Sequence, residues 1–194
     1  MTYILDTNVI SYFLQAQRET ELSDAANFFP LAIVDEVRKE LENDPTRGGK
    51  SFRKWLDSSN IKVQSISVGS ASSYTLIDLI PKSKGGESIV KGLGERASIA
   101  LAAHDASLVF VTHDKNAAWM GLRELWMQGE RVLRFAVFLH RLWTERAIVD
   151  PSVLEDVMKA AHQTDEPWPT WWPGWFSTIK TKTSIATVTT QLPA

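Results

Sequence analysis

Ser107-Leu108-Val109-Phe110-Val111-Thr112-His113-Asp114 is the stretch that decides the fold. Leu108 to Val111 is an unbroken apolar run, the pattern of a strand covered on both faces rather than on one. It closes on an acid with a helical pattern behind it. The N-terminus repeats the arrangement: Thr2-Tyr3-Ile4-Leu5 is apolar and β-prone, Asp6 ends it, and Thr7 and Asn8 precede a helical stretch from Val9 to Leu14. Leu31-Ala32-Ile33-Val34 passes into a helix over Asp35 to Leu41, which Asp44-Pro45 and Gly48-Gly49 break. Ile61 to Val68 reads as a further strand, followed by a polar region containing Ser and Gly. Gly92-Leu93-Gly94 opens an alanine-rich helical segment, Glu95 to Asp105. Strands alternating with helices predict an α/β protein, a three-layer α/β/α sandwich with a mainly parallel sheet. In such sheets ligands bind beyond the carboxyl ends of the strands, which is where Asp6 and Asp114 fall.

Composition narrows the chemistry. The chain has 194 residues, enough for one domain of roughly 100–200 residues plus an appendage. Residues 1–147 carry the α/β pattern. Residues 148–194 differ: Asp150-Pro151 starts a helix running to about His162, and Pro167 to Phe176 forms a Trp- and Pro-rich extension. Its prolines exclude a regular helix there, and its tryptophans suit either docking onto the domain or a partner or homodimer surface. There is no cysteine, which removes disulfides, thiolate nucleophiles and cysteine-bound metals and suits the cytoplasm. No apolar run approaches the roughly 20 residues of a membrane span, and no signal peptide is expected. With 21 Lys+Arg against 23 Asp+Glu, the net charge of -2 excludes a broadly basic nucleic-acid coat but leaves room for a local basic groove.

Four acids stand in positions that matter: Asp6, Glu40, Glu95 and Asp114. Hard divalent cations such as Mg²⁺ take carboxylate oxygens, with water and substrate phosphate completing the shell. Each acid has a plainer role as well. Asp6 and Asp114 precede helices and can cap them, for about 1 kcal/mol. Glu95 sits in a first helical turn, where the dipole favours it, and Glu40 can be solvated surface. Glu36, Glu40 and Asp44 recur at four-residue spacing as an acidic ridge on one helix face, which costs about 0.2–0.5 kcal/mol per pair unless a cation lies beside it.

Taken together these segments resemble the PIN-domain nucleases. Tyr3-Ile4-Leu5-Asp6-Thr7-Asn8 is similar to their opening strand, and Val37-Arg38-Lys39-Glu40-Leu41 to their second motif. Gly94-Glu95-Arg96-Ala97-Ser98-Ile99-Ala100-Leu101-Ala102 resembles their Gly-Glu-Ala helix, and Val109-Phe110-Val111-Thr112-His113-Asp114-Lys115 their strand ending in Thr-x-Asp. The order and spacing of all four match over roughly residues 1–145. The resemblance implies a Mg²⁺- or Mn²⁺-dependent endoribonuclease, of the kind found among VapC-like toxins paired with an antitoxin protein. It makes Asp6, Glu40, Glu95 and Asp114 the metal-binding and catalytic acids, with Thr7, Asn8 and Thr112 as supporting polar contacts. Glu36, one turn before Glu40, is an alternative ligand in the second motif.

RNA would need cations to hold its phosphates. Arg47, Lys50, Arg53 and Lys54 cluster beside Trp55, an aromatic able to stack a base. Lys82, Lys84, Lys91 and Arg96 form a second cluster near Glu95. Either can equally be a solvated face.

Rival readings are weaker. Gly92-Leu93-Gly94-Glu95-Arg96-Ala97 fits the G-x-G-x-x-A dinucleotide fingerprint, with Asp114 spaced for a ribose. That reading needs a strand from the short Ser88-Ile89-Val90 and puts Glu95 where pyrophosphate should sit. Gly49-Lys50-Ser51 lacks the first glycine of a phosphate loop. Asn8 excludes an Asp-x-Asp phosphatase, and the histidines show no metal-pair spacing. A non-catalytic interaction module on the same fold, its acids reduced to caps, remains the alternative.

Overall fold

Five strands, β1 (Thr2–Leu5), β2 (Leu31–Val34), β3 (Lys62–Gln64), β4 (Leu108–Thr112) and β5 (Val132–Arg134), lie side by side in the order β3-β2-β1-β4-β5. All neighbours are parallel. They belong to a computed structural model that describes residues 1–44, 46, 49–80, 92–161, 170 and 172–179. The apolar runs of β1, β2 and β4 are buried almost throughout, as a sheet covered on both faces requires.

Helices connect the strands: α1 (Thr7–Gln15), α2 (Glu19–Ala25), α3 (Asp35–Asn43), α4 (Gly49–Ser58), α5 (Ala71–Leu79), α6 (Leu93–His104), α7 (Lys115–Glu124), α8 (Phe135–Thr144), α9 (Pro151–Ala161) and α10, residues 172–179. From β1 the chain steps outward to β2 and β3, then crosses back to β4 on the other side of β1. Parallel crossovers are right-handed, so this reversal sends α5, α6 and α7 to the face opposite α1. The result is the expected α/β/α sandwich. Its strand order reverses between β1 and β4, the place where such sheets open a crevice.

One core spans both faces, with Phe13, Phe110, Phe135 and Phe138 among its largest fully buried side chains. α8 covers the α1 face: Phe135 packs edge-on to Phe13 with centroids 6.3 Å apart, and Phe138 lies 5.7 Å from Tyr3. The C-terminal region joins the same core. Val153, Leu154 and Val157 of α9 are buried, and Arg18 reaches Asp156 through two hydrogen bonds of 3.1 and 2.7 Å.

Several expectations need correction. The strand expected over Ile61 to Val68 is only Lys62–Gln64, because β3 is an edge strand paired to a four-residue partner. The polar region behind it contains α5, whose N-cap Ser70 accepts from Ser73 N–H at 3.2 Å. The acidic ridge is shorter than its spacing implied. α3 ends at Asn43, and Asp44 leaves the helical conformation to bind Thr46. The Trp-rich extension does contain a helix, α10, since Pro173 falls in its first turn where no intrahelical N–H is lost. Trp172 of that helix is 1% exposed, with its indole N–H on Met158 Sδ at 2.6 Å. The rest of the extension, Arg47, the Lys50 side chain, Lys82, Lys84, Lys91 and the Ser88-Ile89-Val90 segment lie outside the described residues.

Among the described residues, no helix is long and apolar enough to cross a membrane.

Candidate active site

The register of β1 on β4 sets Leu5 against Val111, so the next residues, Asp6 and Thr112, meet at the carboxyl edge. Thr112 Oγ1 donates to Asp6 Oδ2 at 2.8 Å, and Asp6 N–H donates to the Val111 carbonyl at 3.0 Å. Asp6 is fully buried and precedes α1, yet it makes no side-chain cap to that helix. Its Oδ1 is buried and makes no hydrogen bond among the described residues. The capping role open to it on sequence is therefore not the one it fills.

Asp114 does cap. Its Oδ1 accepts from Ala117 N–H at 2.7 Å at the start of α7, and its own N–H donates to Thr112 Oγ1 at 3.1 Å. Thr112 thus links the two acids, donating to one and accepting from the backbone of the other.

Glu40 arrives from α3. Its Oε2 accepts from Thr7 Oγ1 at 2.5 Å, and its Oε1 accepts from Gly94 N–H at 3.0 Å at the start of α6. Gly94 is required by that approach: a Cβ there would lie 2.7 Å from Val37 Cγ2 and 3.2 Å from Glu40 Oε2. Glu95, the next residue, enters the cluster from the first turn of α6.

Electrostatics ties the four together. Burial, opposed by the Thr112 hydroxyl and the Thr7 backbone N–H and reinforced by the charges of Glu40 and Asp114, pushes the Asp6 carboxyl up to about 7. Glu95 rises to about 8, through burial first and then through Asp6, Asp114 and Glu40. The favourable dipole of α6 does not offset this. Near neutral pH, Asp6 and Glu95 are therefore held toward their protonated forms.

Glu36 stands apart. Glu40 acts on both Asp6 and Glu95, whereas Glu36 does not figure in either environment; the charge it acts on is Lys39. Glu36 Oε2, like Asp6 Oδ1, is buried and makes no hydrogen bond among the described residues, whereas both oxygens of Glu40 are held. Asn8 is half-buried beside Thr7. His113 turns away into an aromatic pocket, its ring edge-on to Tyr12 at 5.4 Å and to Phe135 at 5.9 Å.

Among the described residues, no set of three or more Asp, Glu or His side chains is gathered closely enough to hold an ion. The acids share one neighbourhood without forming a closed cage. Glu40 and Asp114 are turned onto N–H and O–H donors, as expected for carboxylates that repel one another.

Two features of the site escaped the sequence reading. Gly94 N–H is the donor that orients Glu40, and Ser98, one turn along α6 from Glu95, is fully buried with an unpartnered hydroxyl. A buried serine in an alanine-rich helix was the available signal. Of the basic cluster, Arg53 and Lys54 are exposed on α4. Trp55 is no free stacking platform: its indole N–H donates to the Glu19 carbonyl at 3.0 Å and its ring packs on Phe52. Arg96 is spent on the Leu79 and Gly92 carbonyls, at 3.0 and 2.9 Å.

Compared with known proteins, the chain matches no family model, no curated protein and no solved structure.

Proposed function

We propose that the protein is a PIN-like, Mg²⁺- or Mn²⁺-dependent endoribonuclease, of the sort that serves as the toxin of a toxin–antitoxin pair. The observation that carries this reading is the buried, unpartnered Oδ1 of Asp6 amid three further acids at the strand-order reversal. A buried polar atom without a partner costs about 1–3 kcal/mol, more when charged. A divalent cation is the partner that would satisfy it and would also offset the repulsion that, after burial, raises Glu95. Asp6 and Glu95, with Glu40 and Asp114, are the residues that would hold it. When bound, such a cation stabilises charge developing on a phosphodiester and makes a water more acidic.

The chain's own groups do the rest. Thr112 fixes the Asp6 carboxylate by one oxygen and leaves the other, buried, without a hydrogen bond among the described residues. Thr7 and Gly94 hold Glu40 by both of its oxygens, so α1, α3 and α6 meet at one point. With no cation beside them, burial and mutual repulsion hold the Asp6 and Glu95 carboxyls above the usual carboxylate range, so loading the site would release protons. Exposed Arg53 and Lys54 offer phosphate contacts at the edge of α4.

The dinucleotide reading fits less well, because the Gly94 N–H that would meet a pyrophosphate is occupied by Glu40. The non-catalytic module has one observation in its favour: Asp114 caps α7. Calorimetric titration with Mn²⁺ separates them. The nuclease reading expects saturable binding to the native chain, lost in Asp6→Asn, together with RNA cleavage that falls at least about a hundredfold in that variant. Absence of both binding and cleavage assigns the fold to the interaction module.

A further inference from the structure

α8 runs back from the carboxyl edge of the sheet. Phe135 starts it beside His113, and Arg141 reaches the Tyr3 hydroxyl at 3.1 Å near the opposite edge. At its far end lies a groove of about 580 Å³ between the last turn of α8, the chain that follows it and α10. Its walls are Trp143, Ile148, Val149, Trp175 and Ile179, with two threonines. Among the described residues, Arg146 is the one ionisable side chain in the lining. The α10 wall is held by ring packing: Trp175 lies against His140 and Trp172 in tilted contacts, each at 4.8 Å between centroids.

The turn that carries Arg146 is built by the helix terminus. Ala147 N–H donates to Leu142 O at 2.9 Å and Arg146 N–H to Trp143 O at 3.0 Å, the pair of bonds of a Schellman motif. Arg146 therefore takes the left-handed position, φ 59°, where glycine is the usual residue. Among the described residues its guanidinium makes no ion pair. Asp150 nearby is engaged in binding Ser152 N–H at 2.8 Å.

We propose that this groove docks a peptide segment of a partner protein carrying a bulky apolar side chain with a carboxylate beside it. The apolar and indole walls take the first group. The unpaired guanidinium, a planar fork matched to a carboxylate, takes the second. The volume lies within the roughly 300–1,000 Å³ of ligand pockets, but small-molecule sites enclose most of their ligand. This groove is open, with Val149 67% exposed and Arg146 on the rim. Trp and Arg around an open apolar groove are the residues that dominate protein-binding surfaces. The proposal is independent of the nuclease reading, since the groove and the acids stand at opposite edges of the sheet.

The test selects phage-displayed random dodecapeptides on the full chain, then measures synthetic copies of the enriched peptides by calorimetry. Enriched sequences pairing an aromatic or aliphatic residue with Asp or Glu are expected, binding at least tenfold more weakly to Arg146→Gly and Arg146→Glu. Arg146→Gly keeps the fold, because glycine suits its left-handed backbone; its melting temperature should be unchanged or higher. Asp6→Asn should bind these peptides as the native chain does. No enrichment, enrichment of basic peptides, or binding to the Arg146 variants as tight as to the native chain overturns the proposal.

Discussion

Thr112 Oγ1 donates to Asp6 Oδ2 at 2.8 Å, joining two residues 106 positions apart across neighbouring parallel strands. The same hydroxyl accepts from Asp114 N–H, so one side chain positions both strand-end acids. Thr112→Val keeps the shape and removes both bonds. It should cost about 1–3 kcal/mol at pH 8, where Asp6 must carry charge without its donor, and clearly less at pH 5. Urea melts at the two pH values check this; equal losses would show that the bond serves packing alone.

Stability should depend on pH in an unusual direction. Asp6 rises from 3.8 to about 7 and Glu95 from 4.5 to about 8, so the folded state holds protons that the unfolded chain releases earlier. Their contribution is complete below about pH 4 and is lost as pH rises through 7 to 8. For Asp6 this is roughly 4 kcal/mol. Asp6→Asn should therefore melt higher than the native chain at pH 8 in chelator, by at least about 5 °C, and the gap should narrow at pH 5 and close only below about pH 4. Asp35 and Asp105, both lowered, act oppositely and destabilise only toward strong acid.

Adding Mn²⁺ at pH 8 should raise the melting temperature of the native chain, and Glu40→Gln should reduce the apparent Mn²⁺ affinity at least tenfold. Glu36→Gln should change it less than threefold, since Glu36 lies outside the environments of Asp6 and Glu95. Calorimetry on the two variants gives the comparison. A larger loss from Glu36 would reverse the assignment of the second motif.

Gly94→Ala places a methyl group 2.7 Å from Val37 Cγ2 and 3.2 Å from Glu40 Oε2. The α3–α6 contact must then open, at about 1–3 kcal/mol, and Glu40 must leave its N–H donor. Chemical denaturation measures the first effect and Mn²⁺ affinity the second. Both should move together.

Arg53→Glu with Lys54→Glu removes exposed charge on α4 without touching the core. RNA affinity should fall evenly across sequences, with a shallower dependence on salt, while Mn²⁺ affinity and melting temperature hold. Filter binding at several salt concentrations measures it. Unchanged affinity would retire this face as an RNA surface.

The architecture was legible because burial on both faces leaves a local signature: Leu108 to Val111 and Leu31 to Val34 carry no polar alternation. β5 and α8 were less visible. Val132-Leu133-Arg134 is three residues long and runs directly into a helix, too short for any period to register. α10 was hidden by a proline rule that holds for helix interiors and not for first turns.

Local chemistry written into the chain was enough to establish the parallel α/β class and to single out Asp6, Glu40, Glu95 and Asp114, because strand ends and helix starts announce themselves in neighbouring residues. Which oxygen of Asp6 lacks a hydrogen bond among the described residues, that Asp114 caps a helix while Asp6 does not, and that Glu40 is held by Thr7 and Gly94 were decided by folding. Each of these depends on register, burial and the close approach at Gly94. Such contacts link residues dozens of positions apart, and no local pattern encodes their distance.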